Sequence, residues 1–341
     1  MNPQGFNRTE ADAVLWAQKF LGEAGLAAEP LPGEASGRRY LRLVGPFGTA
    51  VLMIGPDLAE NRKWRDLGLR LAGAGLAVPK ITGFDDSGHF FLMEDLGSVR
   101  LDTLAGGPPG TPESLGLMAA YVATAEALAE WHERALAAVG DLWDLNPPYE
   151  PRSIKTLEWD YFIAGLMLLD LPLTIRDDIE VEAERLCRAV AFEGKRKVLI
   201  HRDFQSRNVM VTPGGPMILD WQGARLGPAT YDLGSLLWDP YARLGAEAQG
   251  RCLEAYLRAR DLPDPSGRFW DDLCLSSLMR LMQATGAYAK LSRVDGIASY
   301  AAYALPAVTR MSEIANFLGP MEYPMIYELI GDALAALRDR P

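Results

Sequence analysis

Cysteine and histidine are rare in this sequence. Its 341 residues include three cysteines, Cys187, Cys252 and Cys274, and three histidines. The cysteines are odd in number, widely spaced and without a CxxC pair, which argues against a disulfide framework, a zinc site or a redox motif. We interpret them as reduced thiols in the core of a cytoplasmic protein, because disulfides are rare in that compartment.

A basic surplus and long apolar runs are also missing. The formal net charge is −11, whereas proteins that bind nucleic acids or anionic membranes carry a basic surface. No apolar run approaches the roughly 18 residues that a membrane span requires, and the first residues mix charged and amide side chains where a signal peptide would be apolar. We therefore predict a cytoplasmic protein with no nucleic-acid partner, no membrane partner and no obligate protein partner.

The composition is otherwise that of an ordinary globular protein, with 49% hydrophobic and 23% charged residues. Most predicted strands lie in the first 96 residues, and the remainder is mainly helical. In chain order, the predicted elements are a helix over 8–26, strands over 40–44 and 49–54, a helix over 58–74, two strands beside the turn at 85–88, and helices over 111–136, 153–170, 174–192, 232–260, 267–291 and 297–317. We predict an α+β fold with a small lobe, residues 1–96, and a large lobe, residues 97–341.

One polar motif interrupts the helical part of the chain. The stretch HRDFQSRN ends at Asn208, and the β-type runs NVMV and MILD follow it on either side of TPGGP. If these runs pair symmetrically as a hairpin, Asn208 faces Asp220 with Cα atoms about 5 Å apart. An amide oxygen and a carboxylate at one hairpin end suit Mg²⁺. Asp203 lies just upstream, where it can act on a substrate beside that metal.

These motifs resemble a known family. HRDFQSRN has the form HRDxxxxN of the catalytic loop in protein-kinase-like folds, and DWQ stands where protein kinases carry DFG. With YDLGSLLWDPY, the motifs resemble the aminoglycoside phosphotransferase superfamily of small-molecule kinases. Within it, the chain is most similar to the anomeric N-acetylmuramate/N-acetylglucosamine kinases of cell-wall recycling, which share HRDFxSRN, a Gln after the metal Asp, and YDLxSLL. The resemblance implies a bilobal protein-kinase-like fold that uses ATP and Mg²⁺.

The resemblance also implies roles for the residues of the motif. Asp203 would be the catalytic base that accepts the proton of an acceptor hydroxyl and orients it toward the γ-phosphate. Asn208 and Asp220 would be the metal ligands. We expect His201 and Arg202 to brace the loop through hydrogen bonds rather than to contact substrate.

A further acidic residue, Asp232 in YDLGSLL, is interpreted as structural. We expect its carboxylate to cap the helix that begins there and to support the catalytic loop.

The small lobe is where the resemblance implies a nucleotide site. Backbone N–H groups of Ala35, Ser36 and Gly37 in the loop GEASG could cradle the β and γ phosphates. LMEDLG would be the hinge between the lobes, with backbone groups near Glu94 and Leu96 pairing with adenine. The alternative for LMEDLG is an ordinary strand end followed by a turn.

The sequence departs from the protein-kinase pattern at the phosphate-binding lysine. Such kinases carry this lysine on the third strand, but TAVLMI contains no basic residue and Met53 stands about where the lysine would fall. Arg38 and Arg39 are candidate substitutes, and we include Arg39 among the predicted nucleotide-binding residues. The alternative is that two arginines beside a strand form a solvated edge.

The acceptor is predicted from the closer family match to be an amino sugar, phosphorylated at its anomeric hydroxyl. The candidate substrate-binding residues are Arg207, Gln222, Glu158, Asp239 and Tyr241. Arg207 could equally serve structural pairing or contact a phosphate, and Glu158 could equally belong to a solvated helix face.

Two other functions fit the sequence. An aminoglycoside or amino-alcohol kinase would share the machinery but needs acidic side chains in the substrate cleft. A nucleotide-binding pseudokinase that regulates a partner would explain the missing lysine, although the set formed by Asp203, Asn208 and Asp220 argues against it.

Overall fold

The computed structural model describes most of the chain. The described residues are 9–32, 37–46, 48–104, 112–141, 146–191, 197–242, 244–262 and 267–340, with the backbone alone described for 112–115. The predicted phosphate-cradling residues Ala35 and Ser36 lie outside this set.

The N-terminal part forms one five-stranded antiparallel sheet. Its strands are β1 (Ala27–Leu31), β2 (Arg39–Gly45), β3 (Gly48–Ile54), β4 (Ile81–Phe84) and β5 (Phe90–Glu94), in the order β1-β2-β3-β5-β4. The helices of this part are α1 (Glu10–Leu21) and α2 (Leu58–Gly73). The predicted strands of the small lobe are confirmed.

Strand β1 was not predicted, and the first helix is shorter than predicted. Gly22 ends α1 with a φ of 70°, a left-handed conformation that glycine adopts without strain. The next residues then run as an exposed edge strand, where Pro30 is tolerated because an edge needs no donor on its outer side.

The sheet has two buried faces, because successive side chains of a strand point to opposite sides. One face, with Leu41, Leu43 and Leu52, packs against α1. The other face, with Met53 and Phe91, packs toward α2 and the rest of the chain. Neighbouring residues such as Arg38 and Arg39 are therefore directed to different sides of the sheet.

The remaining helices build the C-terminal part. They are α3 (Pro112–Val139), α4 (Pro151–Ile154), α5 (Asp160–Leu168), α6 (Ile179–Ala191), α7 (Ala229–Leu237), α8 (Ala246–Ala259), α9 (Arg268–Arg293), α10 (Ala304–Leu318) and α11 (Pro324–Arg338), with a π-helical turn over Lys155–Trp159 and a 3₁₀ segment over Ala298–Tyr303. Helix α11 was not predicted, and the predicted helix over 232–260 is two helices, α7 and α8. Among the described residues, no helix is both long and apolar enough to span a membrane.

Two short β-pairs carry the polar motif. Strand β6 (Val198–Ile200) pairs with β9 (Arg225–Gly227), and β7 (Val209–Thr212) pairs with β8 (Gly215–Ile218). Both pairs are antiparallel. The HRDFQSRN loop connects β6 to β7, and the DWQ turn connects β8 to β9.

The predicted register of the β7–β8 hairpin was wrong by one residue. Thr212 pairs with Gly215, so the turn contains two residues instead of the five expected. Gly215 permits this tight turn because it adopts a φ of 114°. Asn208 therefore lies opposite Leu219, whose N–H donates to Asn208 O at 2.8 Å, and Asp220 follows one residue later.

Helix α2 is docked on the DWQ turn by aromatic packing. The rings of Trp64 and Trp221 stack with centroids 5.2 Å apart, and Trp221 Nε1 donates to Trp64 O at 2.8 Å. A β-carbon on Gly68 would lie 2.5 Å from the Trp221 ring, so a glycine is required for this approach. This contact joins the sheet region to the polar motif.

Helices α5 and α9 approach each other closely enough to exclude a methyl group. A β-carbon on Gly286 would lie 2.6 Å from Tyr161 O, which is a backbone atom and has little freedom to move. We expect Gly286→Ala to force the helices apart and to cost about 1–3 kcal/mol of unfolding free energy. The measurement is thermal or urea denaturation followed by circular dichroism.

Gly331→Ala is the matched control for this prediction. Gly331 lies inside α11, and nothing lies within 4 Å of the position of an added β-carbon. Alanine is expected to raise stability there by about 0.5–1 kcal/mol through helix propensity. Equal effects of the two substitutions would contradict the packing explanation.

Candidate active site

The polar loop is anchored at its start by one buried carboxylate. Asp232, in the first turn of α7, accepts the backbone N–H groups of His201 at 2.6 Å and Arg202 at 2.9 Å. His132 Nε2 lies 3.1 Å from the same carboxylate. Arg202 has a φ of 78°, an uncommon conformation for a side-chain-bearing residue that these bonds maintain. The predicted support of the loop by Asp232 is confirmed, whereas the predicted helix cap is wrong, because Pro228 occupies that position.

The second half of the loop is held by Asp239. Its Oδ2 accepts the Ser206 N–H at 2.7 Å, and its Oδ1 accepts the Tyr241 N–H at 2.9 Å. The side chain is completely buried, and burial raises its pKa. The structure does not support the predicted substrate contact of Asp239, because both carboxylate oxygens are already bound to backbone.

Asp203 is half-buried between these two anchors. Its Oδ1 lies 3.5 Å from Nη2 of Arg280, an α9 residue that is itself held by Ser235 and Gln205. Burial alone would raise the pKa of Asp203, but the charges of Arg280 and Arg202 outweigh it and lower the pKa. The carboxylate is therefore ionised at neutral pH.

Asp203 keeps part of its carboxylate accessible, since its side chain is 29% exposed. Gly223 lies beside it, and an added β-carbon there would be in ordinary van der Waals contact with Asp203 Oδ2 at 3.6 Å. An ionised and partly exposed carboxylate can accept a proton from a bound hydroxyl. Arg280 was missed in the sequence, although a single arginine inside the apolar stretch LCLSSLMRLM is a signal that could have identified it.

The two predicted metal ligands lie beside the same loop. Asn208 Nδ2 donates to Asp203 O at 2.9 Å, which leaves the amide oxygen as its remaining ligand atom. Asp220 follows Leu219, the hairpin partner of Asn208, and adopts a φ of 64°. The side chain of Asp220 is 34% exposed.

The donor set of Asn208 and Asp220 fits Mg²⁺. One amide oxygen and one carboxylate match the hard oxygen ligands that Mg²⁺ prefers, with phosphate oxygens and water completing its shell. The described residues contain no group of three His, Cys, Asp or Glu side chains that could hold a metal without such help. The site is therefore suited to a metal that arrives with a phosphorylated ligand.

Gln222 braces Asp220. Its Nε2 donates to Asp220 Oδ1 at 2.7 Å and to Glu60 Oε1 at 3.2 Å. Its Oε1 is buried and has no hydrogen-bond partner in the described part of the chain. These contacts place the amide nitrogen of Gln222 against Asp220, the predicted metal ligand, whereas the sequence analysis assigned Gln222 to acceptor binding.

The two candidate arginines of the small lobe are separated by the sheet. Arg39 lies on the α1 face, and its Nη1 pairs with Glu10 Oε1 at 3.1 Å. Arg38 is directed to the other face, where its Nη2 lies 3.3 Å from Glu60 Oε1 and its Nη1 lies 3.9 Å from Asp220 Oδ1. The structure therefore brings Arg38, and not the predicted Arg39, to the site. Glu60 was missed because nothing in its helix distinguishes it from a solvent-facing acid.

Of the two predicted hinge residues, Glu94 and Leu96, the first has its backbone N–H occupied by another hydrogen bond. The backbone N–H of Glu94 donates to Lys80 O at 3.0 Å, so it is not free for adenine. Among the described residues, the backbone N–H of Leu96 has no hydrogen-bond partner. Gly37, the described end of the GEASG loop, has a φ of 72°. Leu96 and Gly37 remain candidates for nucleotide contacts.

Glu158 is enclosed beneath the loop. It is fully buried on the π-helical turn, its Oε2 accepts from Tyr231 at 3.0 Å, and its Oε1 lies 3.6 Å from Arg202 Nη2. Burial raises its pKa despite the nearby charge of Arg202. The predicted substrate contact of Glu158 is therefore not supported, because its carboxylate faces the interior.

Arg207 and Tyr241 are brought together at the outer side of the loop. The Arg207 guanidinium lies 4.1 Å from the centre of the Tyr241 ring, and its Nη2 donates to the Tyr303 hydroxyl at 2.8 Å. Its Nε lies 3.4 Å from Asp102 Oδ2. Tyr300 also faces the guanidinium, at 5.4 Å, and the four side chains around Arg207 are all partly exposed, so this cluster is a candidate acceptor surface.

Known proteins resemble this chain along most of its length. The chain is 29% identical over 305 residues to the N-acetylmuramate/N-acetylglucosamine kinase of Pseudomonas aeruginosa, covering 84% of this chain and 85% of that protein. It is 27% identical over 338 residues to the kinase of the same name from Neisseria meningitidis, covering 93% and 95%.

A solved structure confirms the predicted class of fold. ADP-bound aminoglycoside phosphotransferase APH(2'')-Ib superposes with a TM-score of 0.57 at 12% identity, covering 89% of this chain and 99% of that one. The predicted protein-kinase-like α+β fold is confirmed by such neighbours. The model of the "Phosphotransferase enzyme family" matches residues 27–270. Since this match spans well over half of the chain and agrees with the resemblance of the motifs, the protein belongs to the phosphotransferase enzyme family.

Proposed function

We propose that this protein transfers the γ-phosphoryl group of ATP to the anomeric hydroxyl of an N-acetylated amino sugar, N-acetylmuramate or N-acetylglucosamine. The observation that carries the proposal is the partly exposed Asp203 carboxylate, held by Arg280 on the same loop as Asn208, with Asp220 one residue beyond the hairpin partner of Asn208. The names of the curated relatives support the choice of acceptor. The ADP-bound neighbour supports the choice of nucleotide.

The proposed chemistry rests on position and charge. Asp203 would accept a hydrogen bond from the acceptor hydroxyl, orient its oxygen toward the γ-phosphorus, and take its proton as the bond forms. Arg280 would hold the carboxylate in place. An anomeric hydroxyl is more acidic than an ordinary alcohol, so a carboxylate of low pKa can serve as the proton acceptor.

Asn208 and Asp220 would hold Mg²⁺. The metal, when bound, neutralises charge on the phosphates of the nucleotide. The contribution of the chain is to keep both oxygen ligands oriented, through the bond from Asn208 Nδ2 to the loop and the bond from Gln222 Nε2 to Asp220.

The charges around the loop favour a neutral or anionic acceptor over a cationic one. Glu158 and Asp239, the acids that a cationic acceptor would need, are fully buried and bound to other groups. Arg207 presents a cation at the candidate acceptor surface instead. The lactyl carboxylate of N-acetylmuramate could pair with this guanidinium, which also contacts Asp102, whereas an aminoglycoside or amino alcohol brings no anion to it.

The first prediction concerns the acceptor. Incubation with Mg·ATP is expected to phosphorylate N-acetylmuramate or N-acetylglucosamine at C1, giving a product that no longer reacts as a reducing sugar. Phosphorus NMR identifies the new phosphate ester, with kanamycin and choline as competing acceptors in parallel reactions. Turnover of the cationic acceptors alone would refute the sugar and leave the phosphoryl transfer standing.

The second prediction concerns the base. Asp203→Asn is expected to lower kcat by about 100-fold or more, because general-base catalysis contributes at least that factor. Nucleotide affinity should stay within a few-fold, because the substitution removes a proton acceptor rather than a phosphate contact. Steady-state kinetics and calorimetric nucleotide binding measure the two effects. Turnover at the wild-type rate would exclude Asp203 as the proton acceptor.

The third prediction concerns the metal ligands. Asp220→Ala is expected to abolish the Mg²⁺ dependence of nucleotide binding, and Asn208→Ala to raise the Mg²⁺ concentration needed for half-maximal activity. Asp86→Ala, which removes an exposed carboxylate from the turn between β4 and β5, is the control. An unchanged Mg²⁺ titration in the Asp220 variant would show that the metal binds elsewhere.

A further inference from the structure

A single guanidinium lies between the sheet and the predicted metal ligand. Arg38 is 3% exposed, and its charge is shared between Glu60 of α2 at 3.3 Å and Asp220 at 3.9 Å. Its Cζ also lies 5.8 Å from the centre of the Trp64 ring. Contacts from α2 and from the DWQ turn thus hold the cation at the border between the N-terminal sheet and the catalytic loop.

The hydrogen bonds of this guanidinium are incomplete. Nε and Nη2 of Arg38 are buried and have no hydrogen-bond partner among the described residues. The distances to Glu60 and Asp220 are longer than the 2.7–2.9 Å typical of strong charge-assisted bonds. Leaving a buried charged donor unsatisfied is costly, so the site is suited to a ligand that supplies anionic oxygens.

The position of Arg38 also matches the position where a lysine is missing. In the β2–β3 register, Tyr40 pairs with Met53 and Arg39 with Ile54, so Arg38 would come opposite Gly55. Gly55 and Met53 lie on the same face of the sheet, and diagonal neighbours on adjacent strands are about 7–8 Å apart. The long side chain of Arg38 can span this distance. Its contact with Glu60 of α2 is analogous to the ion pair between a strand lysine and a helix glutamate in protein kinases.

We propose that Arg38 binds the polyphosphate of the nucleotide and takes the place of the lysine that is absent at Met53, with Glu60 as its positioning residue. This inference rests on the proposed use of ATP and adds the residue that holds the phosphates. Arginine suits this role because its planar set of donors can bind two phosphate oxygens at once.

The test compares nucleotides that differ only in their phosphates. Arg38→Met is expected to weaken binding of the non-hydrolysable analogue Mg·AMP-PNP by about 10- to 100-fold, because a charge-assisted hydrogen bond to phosphate is lost. Adenosine affinity should change less than about twofold. Isothermal titration calorimetry measures both affinities without requiring catalysis, and circular dichroism with thermal denaturation checks that the variant folds.

Further variants separate the outcomes. Arg39→Met removes the neighbouring arginine on the α1 face and is expected to leave AMP-PNP affinity within twofold. Met53→Lys in the Arg38→Met background moves the cation to the neighbouring strand and is expected to recover at least about half of the lost affinity on a logarithmic scale. Arg38→Lys, which keeps a cation at the same position, keeps the proposal testable if Arg38→Met is poorly folded, and it is expected to weaken AMP-PNP binding less than Arg38→Met does.

The results distinguish this inference from the proposed function. If Arg38→Met left the affinity for AMP-PNP unchanged, or weakened adenosine binding equally, the proposed role of Arg38 would be overturned. The proposed function would not be affected. If the wild-type protein bound no adenine nucleotide at all, the use of ATP would fail and this inference with it. A wild-type protein that binds AMP-PNP through Arg38 but phosphorylates no amino sugar would support Arg38 and refute only the acceptor.

Discussion

The geometry of the catalytic loop depends on the carboxylate of Asp232. Two consecutive backbone N–H groups, those of His201 and Arg202, end on this one buried side chain, and His132 contacts it from α3. Burial lowers the pKa of His132, so a neutral imidazole lies beside this carboxylate. Without this acceptor, the positive φ of Arg202 would have no compensation, and Asp203 would lose its orientation.

Behind the loop lies a layer of buried charges. Glu158, Arg202 and Arg280 are removed from water at a cost that only mutual pairing and hydrogen bonds can offset. Such a layer adds little to stability compared with apolar packing, but it sets the electrostatics of the site. The two arginines lower the pKa of Asp203, while burial raises that of Glu158. Asp203 and Glu158 thus have pKa values shifted in opposite directions by their surroundings.

The N-terminal sheet and the loop are far apart in the chain and are joined by aromatic and ionic side-chain contacts. Trp64 stacks on Trp221, and Glu60, one turn earlier in α2, reaches Arg38 and Gln222. Asp220, the proposed metal ligand, lies next to Trp221 in the chain. A movement of α2 would therefore shift both the Arg38 guanidinium, through Glu60, and Asp220, through Trp221.

The sequence alone predicted the class of fold, which the structure confirms, and singled out the HRDFQSRN loop as the candidate site, because HRDxxxxN and DWQ are local patterns whose members stay near one another in any hairpin of this kind. It did not determine the register of that hairpin, which a two-residue turn at Gly215 decided. Nor did it reveal Arg280, or that Arg38 rather than Arg39 reaches the site. Arg280 reaches the loop because elements far apart in the chain pack together. Arg38 reaches the site because side chains alternate across the sheet, and only tertiary contacts decide which face lies toward the loop.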